Sequence, residues 1–132
     1  MSRGPGDYTH SPRLPDGDSI ELSSLLAGEG AIELVIGPGR GGFMIDRCSQ
    51  LPEARMLGIE IKRKWSMLVD QRLVERFGGR ARVVCEDAKD ALPRLSPDGC
   101  VARAFIHFPD PWWKIRHRKR MVIIDPLLEQ LQ

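Results

Sequence analysis

The chain has 132 residues, of which 42% are apolar and 29% charged, and a net charge of only +2. This is enough for one folded domain with a modest core, and the balance argues against a disordered chain or a uniform polycation. No apolar run approaches the ~18 residues of a membrane span. Cys48, Cys85 and Cys100 are odd in number and lack CxxC spacing, which argues for reduced thiols in the cytoplasm and against a disulfide frame or metal site.

Residues 1–18 are polar and rich in Gly, Pro and Asp, and read as a flexible N-terminal arm rather than a secretory signal. The remainder, 19–132, reads as one partial domain. Residues 19–27 predict a short helix ended by Gly28 and Gly30. Residues 31–36 are a short apolar run stopped by glycine, the mark of a buried strand. Residues 37–42 form a Gly-rich turn, and 43–51 predict a helix that turns Phe43, Met44, Cys48 and Leu51 inward before Pro52 closes it. Residues 55–61 predict a second strand. Trp65, Leu68, Val69, Leu73 and Phe77 then recur at helical spacing until two glycines, so one helical face, Trp65 included, is expected in the core. Residues 81–87 predict a third strand, 88–95 a short helical connection, 96–99 a turn and 101–108 a fourth strand. Beyond a basic loop, 120–132 read as helical, with Pro126 as a breaker.

Such alternation predicts an α/β fold: a mostly parallel sheet of about four strands with helices on both faces. Ligands of these sheets bind at the carboxyl ends of the strands, near the reversal of strand order. That rule singles out the 37–42 loop, Glu60, Asp87 and Asp110. Gly37, Gly39 and Gly41 spell G-x-G-x-G, and Gly37, Gly39 and Gly42 spell G-x-G-x-x-G. The loop therefore suits either a dinucleotide or S-adenosylmethionine, since glycine lets backbone approach a ligand closely. Glu60 can accept hydrogen bonds from the vicinal ribose hydroxyls of either ligand. Asp87, with Glu86 as its competitor and Asp90 as a weaker one, can accept from an adenine amino group.

Asp110 sits between Pro109 and Pro111, which fix φ and drive their predecessors into extended backbone. The carboxylate is thus held on a stiff platform beside Phe108, Trp112 and Trp113. Lys114, Arg116, Arg118, Lys119 and Arg120 follow with no acid between them, a footprint for a polyanion. A carboxylate beside cations stays ionised at neutral pH. His10, His107 and His117 read as packing or phosphate-contact residues. No Tyr/Lys or His/Asp pair stands out to support an oxidoreductase.

The segment Phe108-Pro109-Asp110-Pro111-Trp112, with Lys114 and Arg116-His117-Arg118-Lys119-Arg120, closely resembles the bacterial tRNA (guanine-N7)-methyltransferase family. Three earlier segments fit the same family in order: the IGPGRGGF loop, LGIEI around Glu60 and CEDA around Asp87. The resemblance spans about residues 31–128 and implies a Rossmann-like class I methyltransferase sheet. It implies methyl transfer from S-adenosylmethionine to N7 of guanine 46 in the tRNA variable loop. It also implies roles: Gly37, Gly39, Gly41, Glu60, Asp87 and Asp110 at the cofactor, with Asp110 catalytic. Lys114, Arg116, His117, Lys119 and Arg120 are implied at the tRNA.

Two departures from the family pattern stand out. The acid that usually precedes the IG pair is Val35 here, and Glu33 lies one rung earlier on the same strand face. The family's later strands have no counterpart in this sequence, so the chain reads as truncated and its fourth strand as an open apolar edge. A second copy or a separate polypeptide is expected to cover that edge. A shortened, inactive or partner-dependent relative acting as an RNA-binding module is the alternative reading.

Overall fold

The runs rich in Val, Ile and Leu become strands, and the stretches with 3.6-residue periodicity become the helices between them. The computed structural model describes residues 10–97 and 99–107. In chain order these form β1 Ile20–Glu21, a 3-10 turn Leu22–Leu25, β2 Ile32–Ile36, α1 Gly42–Gln50, β3 Arg55–Glu60 and α2 Arg63–Phe77. A 3-10 turn at Gly78–Arg80 follows, then β4 Ala81–Cys85, α3 Ala88–Ala91, a 3-10 turn Leu92–Arg94, β5 Leu95–Ser96 and β6 Val101–Ile106.

The main sheet has the order β4-β3-β2-β6, and all its pairs are parallel. Residues 19–27, expected as a helix, instead give a two-residue strand and a 3-10 turn. β1 pairs in parallel with β5, Ile20 opposite Leu95, to make a separate small sheet. The Leu-Ser-Ser-Leu stretch has too few turns to hold an isolated helix, and tertiary packing of Ile20 and Leu22 decides its form.

Strand alternation divides the core in two. Leu34, Leu57, Ile59, Ala104 and Ile106 face a layer made by Leu14, Leu22, Leu26, Leu92 and Leu95. Val35, Met56, Val83 and Phe105 face the other way, onto Met44 and Cys48 of α1 and Val69 and Leu73 of α2. Gly58 lies where β3 is closest to its cover: a Cβ there would sit 2.9 Å from the Met44 sulfur and 3.1 Å from Pro38. Trp65, expected in the core, is only half-buried, whereas Ser66, Met67, Val69, Asp70 and Leu73 are buried. The buried face of α2 is thus rotated away from its first aromatic.

Buried charges lock these layers. Asp70 of α2 accepts from Arg82 Nε at 2.8 Å and from the Val83 amide at 2.9 Å. Arg55, 4% exposed, donates to the carbonyls of Ser23, Leu26, Ala27 and Gly30, and so orders the loop before β2. Arg80 donates to the carbonyls of Cys48 and Ala54, satisfying the end of α1. Of the expected arm, residues 10–18 are described. There the Pro12 carbonyl accepts from the Cys85 amide at 2.6 Å, and Leu14 is buried.

Candidate functional site

From β2 the sheet runs one way through β3 to β4, and the chain then returns to β2's other side as β6. The strand order therefore reverses between β2 and β6, and the carboxyl ends of these strands are where sheets of this kind take their ligands. The Gly-rich loop leaves β2 at that point. Gly37, Gly39 and Gly41 have φ of 71°, 56° and 82°, a region that side chains with a Cβ rarely adopt. Gly37 N donates to Ile59 O at 2.9 Å, and Gly41 N to Pro38 O at 2.9 Å. A Cβ on Gly41 would lie 2.5 Å from Val69 Cγ1, so this end of the loop rests directly on α2. At Gly39 a Cβ would meet nothing within 4 Å, and the loop presents bare backbone to open space.

Glu60 ends β3 opposite that loop and is 6% exposed. Its Oε1 accepts from Gly39 N at 2.9 Å and its Oε2 from Lys62 N at 3.0 Å. One carboxylate thereby holds the loop and the entry to α2. Each oxygen keeps a second acceptor direction, so two vicinal hydroxyls can be bound without breaking either contact. Beside it Ile61 is 63% exposed, an apolar side chain next to the Glu60 carboxylate. The apolar run 55–61 reads Ile61 as the last residue of the strand, whereas β3 ends at Glu60 and leaves Ile61 in the open.

Asp87 follows β4 and caps α3, accepting from Lys89 N at 3.0 Å while partly exposed. Its competitor Glu86 is buried and committed elsewhere. Arg13 donates to it through two nitrogens at 2.8 and 3.1 Å, and the Leu14 amide at 2.9 Å. Burial alone pushes the Glu86 carboxyl up, but these donors outweigh it and hold it below its ordinary value. Asp87 makes no such ion pair among the described residues. On the β6 side, Phe43 packs on Phe105 with ring centroids 4.7 Å apart and meets His107 edge-on at 5.6 Å. Burial pushes His107 below the ordinary imidazole value.

Glu33 does not substitute for the missing acid at Val35. It is bound by Arg47 of α1 at 2.5 and 2.7 Å, while Val35 is fully buried. Asp110, Lys114, Arg116, His117, Lys119 and Arg120 lie outside the described residues. A cleft of about 600 Å³ lined by Glu33, Leu51, Pro52 and Arg55 opens at the amino ends of β2 and β3, the wrong end for a ligand of this fold. Among the described residues no helix is long and apolar enough to cross a membrane.

The model of the family described as "Putative methyltransferase" matches residues 30–132. The chain belongs to this methyltransferase family. It is 33% identical over 115 residues to a tRNA (guanine-N(7)-)-methyltransferase of Photorhabdus laumondii, covering 87% of this chain and 48% of the relative. The chain spans about half the length of the curated relatives it matches. Two solved structures share its fold. The antibiotic-resistance methyltransferase Kmr superposes with a TM-score of 0.52 at 20% identity, over 70% of this chain and 48% of Kmr. Geranyl diphosphate C-methyltransferase from Streptomyces coelicolor A3(2), solved with Mg2+, geranyl diphosphate and S-adenosyl-L-homocysteine, gives 0.50 at 21% identity, over 64% of this chain and 32% of the other. The Rossmann-like, mostly parallel sheet of the methyltransferases is the fold of this chain.

Proposed function

We propose that the chain is the cofactor-binding part of a cytoplasmic tRNA (guanine-N7)-methyltransferase that uses S-adenosylmethionine and acts on guanine 46. The observation that carries this reading is the 33% identity to a tRNA (guanine-N(7)-)-methyltransferase across 87% of the chain. The site fits the cofactor. The open space over Gly39 receives its methionyl and ribose parts, Glu60 the ribose hydroxyls, and Ile61 and Asp87 the base.

S-adenosylmethionine supplies a methyl group on a sulfonium sulfur, already activated for transfer. Guanine N7 has an in-plane lone pair and no proton, so the chain needs no general base. Asp110 instead offsets the positive charge that appears on the imidazole half of the base. The Gly37–Gly41 loop and Glu60 hold the donor, and the basic residues Lys114, Arg116, His117, Lys119 and Arg120 hold the RNA, so that the reacting atoms meet in line. Asp110→Ala is expected to keep S-adenosylhomocysteine affinity and lose roughly 10²-fold or more in methyl transfer.

Incubation with unmodified tRNA and labelled cofactor, followed by mapping of 7-methylguanosine, tests the proposal. Product at position 46 is the expected result. Binding of tRNA with no product favours the RNA-binding module instead, a reading that the replacement of the usual acid by Val35 supports. Among the described residues β6 has a neighbour on its β2 side alone. A strand from a second copy or another polypeptide is proposed for its open side, and sedimentation as a stable monomer would count against that.

A further inference from the structure

Trp65 is half-exposed on the first turn of α2, with two cations against its ring. Arg40 from the Gly-rich loop lies 5.1 Å from the ring centroid, and the Lys64 ammonium also lies at 5.1 Å. Lys62 and Arg63, both exposed, stand beside them. None of these four cations makes an ion pair with a carboxylate among the described residues.

The helix does not explain this cluster. Positive charge in the first turn opposes the helix dipole, the first turn has no acid, and the Lys62 side chain makes no capping bond. Nor does the core, which Trp65 only half enters. The ring gathers two like charges on one side of the molecule, at some cost in repulsion. An external polyanion would offset that repulsion.

We propose that Arg40, Lys62, Arg63 and Lys64, arranged around Trp65, form a second phosphate-binding surface for the substrate tRNA. This rests on the reading of the chain as a tRNA methyltransferase. The surface lies at the carboxyl end of β3, and the 114–120 basic run follows β6. With β2 between them, the two strand ends stand roughly 10 Å apart at the usual strand spacing. RNA held on the Arg40–Trp65 surface lies beside the Gly-rich loop and Glu60, at the β3 side of the proposed cofactor site. Trp65 is a positioning residue that holds Arg40 and Lys64 in place.

The test measures tRNA affinity against salt concentration for the unsubstituted chain and for the double variant Arg63→Ala/Lys64→Ala. The control is Arg72→Ala/Arg76→Ala, with the same charge loss farther along the same helix. The expected result is roughly tenfold weaker binding at 0.15 M salt and a log–log slope less steep by about 1.5–2 for the first variant, but not for the control. Thermal melting and S-adenosylhomocysteine affinity stay unchanged. Trp65→Leu weakens tRNA binding and Trp65→Phe restores it. Equal slopes for the two double variants overturn this surface while leaving the methyltransferase reading intact. Failure of the unsubstituted chain to bind tRNA overturns both.

Discussion

Glu60 is the side chain on which most of the site's geometry converges. It fastens Gly39 and Lys62 through backbone amides, so its oxygens are already fixed in direction for the ribose hydroxyls proposed to meet them. Glu60→Gln replaces one acceptor oxygen by an NH2 group facing an N–H donor. Calorimetric titration with S-adenosylhomocysteine should show affinity weakened by about 10–150-fold, from the roughly 1.5–3 kcal/mol of a hydrogen bond to a charged group. Unchanged affinity would remove Glu60 from the ribose site. The carboxylate at the end of the second strand was legible because a Gly-rich loop stood upstream of it. The exposure of Ile61 was not, since an apolar residue at the end of an apolar run reads as part of the strand. Asp87 was read ahead of its neighbour Glu86, but the tie of Glu86 to Arg13, more than 70 residues away, had no local pattern to announce it.

Among the elements, α2 shows how pattern and packing differ. The spacing predicted the helix, and it spans Arg63–Phe77. It did not predict that Asp70 lies on the buried face, because an acid at a helical position ordinarily marks the solvent side. The partner is Arg82, whose side chain is 38% exposed, and the Val83 amide adds a fully buried donor. Asp70→Ala leaves that amide unsatisfied and uncouples the helix from β4. Urea denaturation should show a loss of about 2–3 kcal/mol with the m-value unchanged. A loss below about 0.5 kcal/mol would make the pair ornamental. The main strands were legible from short apolar runs, whereas the β1–β5 pair was not, because two-residue strands have no alternation to read.

For the whole molecule, acidity should weaken the fold in two stages. His107 has its folded pKa lowered by burial, so the unfolded chain binds its proton first as pH falls. Its stabilising contribution is complete above the ordinary imidazole value of about 6.5 and is lost as pH drops through the lower folded value. Glu86, also lowered on folding, keeps its contribution above the ordinary carboxyl value and loses it further into acid. Denaturation midpoints from pH 8 to 3 should therefore be level above about 7, fall below about 6.5 and fall again below about 4.5. His107→Gln should abolish the first fall and Arg13→Ala the second. A level profile down to pH 5 would mean that His107 is not held neutral by the fold. In the second stage Arg13 and the Leu14 amide lose their hold on Glu86, while the Cys85–Pro12 backbone bond remains.

The placement of β2 between β3 and β6 has a further consequence, one of timing. Ile32 finds Arg55 on one side early in the chain, but its other neighbour, Val101, is roughly 70 residues distant. At the usual translation speed of roughly 5–20 residues per second, the innermost strand stays half-sheathed for on the order of 10 s after it leaves the ribosome. Throughout that interval its unpaired amides and carbonyls are an invitation to neighbouring nascent chains, and a chaperone that shields them has its window then.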